Sequence, residues 1–240
     1  MAAKRSSSRS RRKGALPAGR EALRKWGRRI GLGALAAAAA LVLLFAAITP
    51  PMTPYMMSER MRLGGISHET VSMNAIAPVM ARSVVAAEDA NFCRHWGFDM
   101  SAIRSAMAAG SNRGASTLSQ QVVKNVFLWQ GRSWVRKALE AVLTPAVELT
   151  WSKRHILNVY LNVAEFGEGI FGVQAAARHY FGVDAANLTA VQAARLAAIL
   201  PNPKQRDPVN PTTFVRGRSQ AALSGAATIR ADGRAGCFQG

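Results

Sequence analysis

Acidic side chains are scarce in this 240-residue chain: 13 Asp and Glu stand against 31 Lys and Arg, a formal net charge of +18. Such a balance points to an anionic partner, whether nucleic acid, a membrane surface or phosphate. Cysteine is nearly missing. Cys93 and Cys237 are too few for a disulfide framework or a four-cysteine zinc site, and spacing leaves open whether they pair. The four histidines, His68, His95, His155 and His179, are scattered without ligand spacing, which argues against a histidine metal cluster. Alternating apolar–polar runs that would mark strands and hairpins are lacking, and so is any internal repeat. Apolar residues, by contrast, make up 49% of the chain, which excludes wholesale disorder; the length suits one single-core domain plus a tail.

The positive charge is uneven. Residues 1–29 hold 11 of the Lys and Arg and a single acid, Glu21. Directly after Arg28 and Arg29 comes IGLGALAAAAALVLLFAAIT, residues 30–49, without one charge. About 20 helical residues cross a bilayer core, so this stretch predicts one transmembrane helix. It is longer than a signal-peptide core of about 7–15 residues, and its small residues lie inside it. The positive-inside rule places the basic tail in the cytoplasm and the rest of the chain outside. An orientation signal accounts for the tail without nucleic acid. Pro50, Pro51 and Pro54 end the helix, and residues 50–77 read as a juxtamembrane linker. Its Met52, Met56, Met57, Met61 and Leu63 suit either a bilayer surface or plain packing.

From Pro78 to about Leu200 nearly every segment has helical periodicity, so a mainly α domain over residues 78–208 is expected. Helices are predicted at Val79–Ala87 and Ser101–Ala109, and from Thr117 through Leu128, where Thr117 and Gln120 form a capping box. A long helix over Ser133–Trp151 carries an apolar stripe of Leu139, Val142, Leu143, Ala146 and Val147, with Pro145 expected to kink or interrupt it. Further helices follow at Ser152–Asn162, Val173–Phe181 and Thr189–Leu200, the last with a second capping box. Residues 209–240 read as a loose tail, apart from a helix near Phe214–Ile229.

With only 12 acids beyond residue 29, each carboxylate is informative. Glu88 and Asp89 close an apolar helix and precede Phe92, His95, Trp96 and Phe98. Aromatic neighbours desolvate a carboxylate and raise its pKa, which suits a general base or acid; a solvated helix end is the plainer alternative. In RGASTLSQQVVKN, Ser116, Gln120 and Gln121 gather hydroxyl, amides and N–H groups at a helix start, an anion-binding arrangement, with Lys124 a turn or two along. An ordinary capped helix looks the same. In GRSWVRKALE, Arg136 and Glu140 have the spacing of a surface ion pair. Together with Lys124 and Arg132 they also offer several cations for a diphosphate. The glycines of AEFGEGIFG suggest a tight structural turn.

The ordered blocks EDANFCRHWGFD, RGASTLSQQVVKNVFLW, GRSWVRKALEAVLTPAVELTWSK, ILNVYLNVAEFGEGIFGVQAAARHYFG and LAAILPNPKQRDP resemble the peptidoglycan glycosyltransferase family, the enzymes that polymerise lipid II. The FLWQGRSWVRK stretch is close to its monofunctional members, and the length leaves no room for a transpeptidase domain. The resemblance implies a lysozyme-like helical fold with a smaller lobe against the membrane. It implies Glu88 and Glu140 as the catalytic glutamates and Asp89 as a substrate-binding neighbour in a supporting or metal-associated role. Ser116, Gln120, Gln121, Lys124, Arg132 and Arg136 would then bind sugar and diphosphate. It admits a divalent metal ion (Mg or Mn) and no organic cofactor. Lipid II, lipid-linked glycan and the inner membrane are the expected partners, with other wall synthesis or division proteins beside them and no nucleic acid. The catalytic domain would be periplasmic. A glycan-cleaving, lysozyme-type enzyme and a noncatalytic scaffold for wall synthesis are the alternatives.

Overall fold

A computed structural model describes residues 18–108, 110, 116–131 and 133–239. It divides at Leu41/Val42 into two compact units. The first is most of helix α1 (Ala18–Ala47). Its 26-residue Ala22–Ala47 stretch contains an 18-residue window of mean hydropathy 2.5, long and apolar enough to cross a membrane. The helix starts at Ala18, well before residue 30, so it includes part of the basic tail.

The second unit is mainly α, as the periodicity predicts. In chain order it holds α2 (Pro54–Leu63), β1 (Ser67–His68), α3 (Pro78–Glu88), α4 (Met100–Ala108) and α5 (Leu118–Phe127). Then come α6 (Trp134–Thr150), α7 (Lys153–Val163), β2 (Glu165–Gly167), β3 (Ile170–Phe171), α8 (Val173–Phe181), α9 (Ala190–Ile199), α10 (Thr213–Ala231) and α11 (Gly236–Gln239). Both capping boxes form: Thr117 with Gln120 and Thr189 with Gln192 each satisfy two backbone donors. Ser133 and Ser152 cap α6 and α7 in the simpler way.

Several expectations change. The linker of residues 50–77 is part of the folded body. Thr53 caps α2, Pro54 fills its first turn, and Met56 is fully buried while Met57 and Met61 stay exposed. Buried Asn162 of α7 pins this stretch from afar: its Oδ1 accepts from the Val71 N–H at 2.8 Å and its Nδ2 donates to the Val71 carbonyl at 2.9 Å. A small sheet exists where none was expected, in the order β1-β3-β2, with β1 parallel and β2 antiparallel to β3. Strands of two or three residues are too short to show alternation. Gly172 turns the chain from β3 into α8 at φ 83°, where a Cβ would meet the Asn162 carbonyl oxygen at 2.8 Å.

Pro145 does not interrupt α6. The helix runs through it to Thr150, and the Thr144 hydroxyl bonds back to the Glu140 carbonyl at 2.7 Å. The predicted apolar stripe faces the core in part: Val147 is fully buried and Leu143 packs against the core, whereas Leu139 and Val142 are exposed. The buried side also holds Glu140, Thr144 and Glu148. Buried charge accounts for the difference: Glu148 is held by Ser119 and by Lys153 at 2.8 Å, and Glu140 by two cations described below.

The C-terminal stretch is not loose either. α10 lies along α3 and α9, turning Val215, Ser219, Ala222, Ala226 and Ile229 inward. Beyond it Phe238 is fully buried and Cys237 is joined to Cys93 by a disulfide, which answers the question left open by the sequence.

Candidate active site

Helix α3 carries Glu88 to its C-terminal end, where the chain leaves helical geometry at Asp89. The two carboxylates then diverge. Asp89 is buried, and both its oxygens are used within the fold: Oδ1 pairs with His95 Nε2 at 2.8 Å, and Oδ2 accepts the Leu118 N–H at 3.0 Å. Asp89 therefore fastens the aromatic loop to the start of α5. It holds the site in place rather than presenting a free oxygen to substrate.

Glu88 is different. Its side chain is only 11% exposed. Oε2 accepts from Gln121 Nε2 at 3.0 Å, and Gln121 Oε1 in turn accepts from the Tyr160 hydroxyl at 3.2 Å. Oε1 is buried and has no hydrogen-bond partner among the described residues. Burial pushes the Glu88 carboxyl above its ordinary pKa, while the Gln121 hydrogen bond and the charges of Arg218, Lys124 and Arg206 pull it back.

The start of α5 also splits into two roles. Gln120 spends its side-chain oxygen on the Thr117 N–H at 3.1 Å, closing the capping box, so it serves the helix start. Gln121, one residue on, faces Glu88. Lys124 follows a turn later, and burial lowers its pKa, with the Arg136 charge adding to the effect. Lys137 is lowered by burial and by the charges of Arg136 and Lys124. Three cations thus crowd one place. Glu140, 2% exposed, answers two of them: it pairs with Arg136, and with Lys137 at 2.9 Å. Lys137 reaches on to Ser116 Oγ at 3.0 Å. Among the described residues Lys124 makes no ion pair. Mutually lowered lysines mark a place where an anion is favoured. Arg132, predicted to join this set, lies outside the described residues.

Two cavities open here. One, of about 280 Å³, is lined by Glu88, Asp89, Asn91, Asp99, Ser116 and Thr117. The other, of about 340 Å³, is lined by Gln121, Lys124, Tyr160, Glu165, Tyr55 and Lys204. The Gln121 amide on the wall of the second bonds the Glu88 carboxylate on the wall of the first. Sequence reading named the Glu88, Gln121, Lys124, Arg136, Glu140 and Ser116 positions. It gave no role to Tyr160, Arg206 or Arg218. No local pattern marks these three, because they come from α7, the loop after α9 and α10.

A divalent metal fits this donor set poorly. Asp89 has both oxygens committed to protein donors, and Glu140 is paired with the Arg136 and Lys137 cations. Among the described residues no three His, Cys, Asp or Glu side chains gather to hold an ion.

Comparison with known proteins adds an independent line. Residues 57–227 match the Transglycosylase family. A biosynthetic peptidoglycan transglycosylase of Jannaschia sp. (strain CCS1) is 60% identical over 220 residues, covering 91% of each chain. One of Yersinia pestis (strain Pestoides F) is 50% identical over 210 residues, covering 82% of this chain and 87% of its own.

Proposed function

The chain belongs to the transglycosylase family, and we propose that it is a membrane-anchored peptidoglycan glycosyltransferase that polymerises lipid II with Glu88 as its base. The growing glycan is the donor, joined through an α-linkage to a lipid diphosphate. The 4-hydroxyl of the acceptor lipid II attacks the anomeric carbon. Its oxygen forms the new β-1,4 bond, and its proton passes to Glu88. The bond to the diphosphate breaks with its electron pair, and the lipid diphosphate departs. Inversion in one displacement needs no covalent sugar–enzyme intermediate.

The observation that carries this reading is the pairing of a desolvated carboxylate with a free oxygen and a crowded cation set. Glu88 Oε1 has no partner among the described residues, and Lys124, Arg136 and Lys137 press their charges together nearby. Charge grows on the leaving diphosphate in the transition state, and pre-placed cations stabilise it there. Glu140 then orients Arg136 and Lys137 rather than acting on substrate. Ser116, Gln121 and, by its place in the motif, Arg132 border the same ligand. A hydrolase needs a raised-pKa acid but has no use for the cations. No step requires a metal ion.

Anchoring by α1 in the inner membrane puts the basic tail in the cytoplasm and the catalytic unit in the periplasm, beside other wall synthesis or division proteins. The Cys93–Cys237 disulfide supports that side, because such bonds persist in oxidising compartments. Full-length protein in detergent, given labelled lipid II, should produce long glycan and release undecaprenyl diphosphate, with moenomycin blocking the reaction. Soluble muropeptides released from sacculi, with no polymer from lipid II, would overturn the reading.

A further inference from the structure

The structure assigns to Arg218, on the C-terminal helix α10, the part of positioning residue for the catalytic carboxylate: its guanidinium holds Glu88 in the ionised form that the reaction requires. The inference rests on the reading of Glu88 as base and adds a residue that none of the sequence motifs contains.

The geometry starts with α10 and α3. Small residues let them approach closely at the end of α3 that carries Glu88. A Cβ at Gly225 would stand 2.8 Å from the Ala86 Cβ, two residues before Glu88, and Ala222 and Ala226 are buried on the same helix face. This contact brings the Arg218 Nη2 to 3.9 Å from Glu88 Oε1, the oxygen that Gln121 does not engage. Among the described residues Glu88 is the carboxylate within ion-pair distance of Arg218, and Arg218 Nε is itself buried without a hydrogen-bond partner. The pair is close enough to attract and too far apart to share a proton. Oε1 therefore keeps its lone pairs for an incoming hydroxyl while the charge beside it favours the carboxylate.

The Gln121 hydrogen bond favours the carboxylate most, and among the charged groups facing Glu88 the Arg218 guanidinium acts most strongly. From α5, Gln121 is neutral and Lys124 is itself pushed towards its uncharged form by burial. From the loop after α9, Arg206 donates to the Ala198 carbonyl at 3.1 Å and lies over the Phe214 ring. From α7, Tyr160 is fully enclosed, with its pKa raised by burial and by the Glu88 charge. Asp89, next in the chain, is turned to His95 and Leu118. Arg218 is the permanent cation aimed at the free oxygen. An opposite charge within about 4–6 Å lowers a carboxyl pKa by about 1–3 pH units, so its removal should move the group the other way.

The test is the pH profile of lipid II polymerisation by the full-length chain, with Arg218→Met and Arg218→Lys. The acid limb of kcat/KM reports the free enzyme's base. Arg218→Met should shift that limb about one pH unit upward, so that the rate lost near neutrality returns as pH rises, with KM for lipid II little changed. Arg218→Lys should keep the limb near its original place. An equal loss at every pH in both variants would make Arg218 structural and overturn the inference. A raised KM with an unmoved limb would place it on the substrate and overturn it as well. Glu88→Gln serves as the separate check. If Glu88→Gln abolishes turnover at all pH values while the Arg218→Met limb stays still, the inference fails and the reading of Glu88 stands. If Glu88→Gln turns over normally, the reading itself fails.

Discussion

Glu88 is a carboxylate that the fold keeps under strain of solvation. Its pKa is raised by burial, so the unfolded chain loses this proton more readily than the native one. The contribution to stability is fully present below the unfolded pKa of about 4.3 and declines as pH rises towards the folded value. Glu88→Gln imitates the protonated form. It should therefore melt above the wild type at pH 7–8, with the gap closing near pH 4, each 1 kcal/mol appearing as about 2–4 °C for a chain of this size. Scanning fluorimetry across pH reads this directly, and a lower Tm for the Gln variant at pH 8 would contradict it. Lys124→Ala removes a cation from the developing diphosphate charge. The loss of a charge-assisted contact is about 1.5–3 kcal/mol, or about 10–100-fold in rate, measured as polymerisation of lipid II, and should exceed any loss in binding lipid-free glycan. Part of this was legible, because acids beyond residue 29 are few and each stands out. Asp89 was not: in sequence it has the same chemistry as a ligand-facing residue, and what retires it is a distant partner, the Leu118 N–H. Gln120 was legible in part, because its capping box with Thr117 is a local pattern and the structure forms it.

Helix ends and periodicity located most elements of the catalytic unit, because Thr117, Ser133, Ser152 and Thr189 each bond the backbone locally, within reach of a sequence pattern. Orientation was harder. α6 has apolar residues at helical spacing, but its buried side holds Glu140 and Glu148, whose cations come partly from other elements. Periodicity counts apolar side chains and cannot see a salt bridge formed across the fold. α2 and α10 were undervalued for a related reason: their inward residues are small or few, such as Met56 on α2 and Ala222 and Ala226 on α10. Gly225 makes the role of α10 testable. Gly225→Val would force side-chain atoms into Ala86 and move α10 away from α3. Overpacking of this kind costs about 1–3 kcal/mol. A Tm several degrees lower and a matching fall in lipid II turnover are expected; an unchanged Tm would show that the helices need no close contact there.

The whole molecule joins an N-terminal helix long and apolar enough to cross a membrane to a catalytic unit closed by α10, α11 and the Cys93–Cys237 disulfide. Sequence marked the first part plainly, since 20 charge-free residues behind Arg28 and Arg29 have few other readings. It said little about the second, because a disulfide between residues 144 apart leaves no spacing signal. Around that bond the Arg154 guanidinium donates to the Phe238 carbonyl at 2.6 Å, and the Gln239 amide donates to the Pro78 carbonyl at 2.6 Å, so the last residues lace α7 and the start of α3 together. Removing a native disulfide costs about 2–5 kcal/mol. Cys237→Ser should lower Tm by several degrees under oxidising conditions and match the wild type in reductant; equal melting of the two in both conditions would show the bond to be dispensable. Reporter fusions after residue 75 should be active only as exported reporters, and cytoplasmic activity there would reverse the topology. The central claim is that Glu88 takes the acceptor proton. Its most direct test measures lipid II binding and lipid II polymerisation side by side in wild type and Glu88→Gln. Polymerisation should fall by about 100-fold or more while binding stays within a few-fold of wild type; near-normal turnover by the Gln variant would contradict the account.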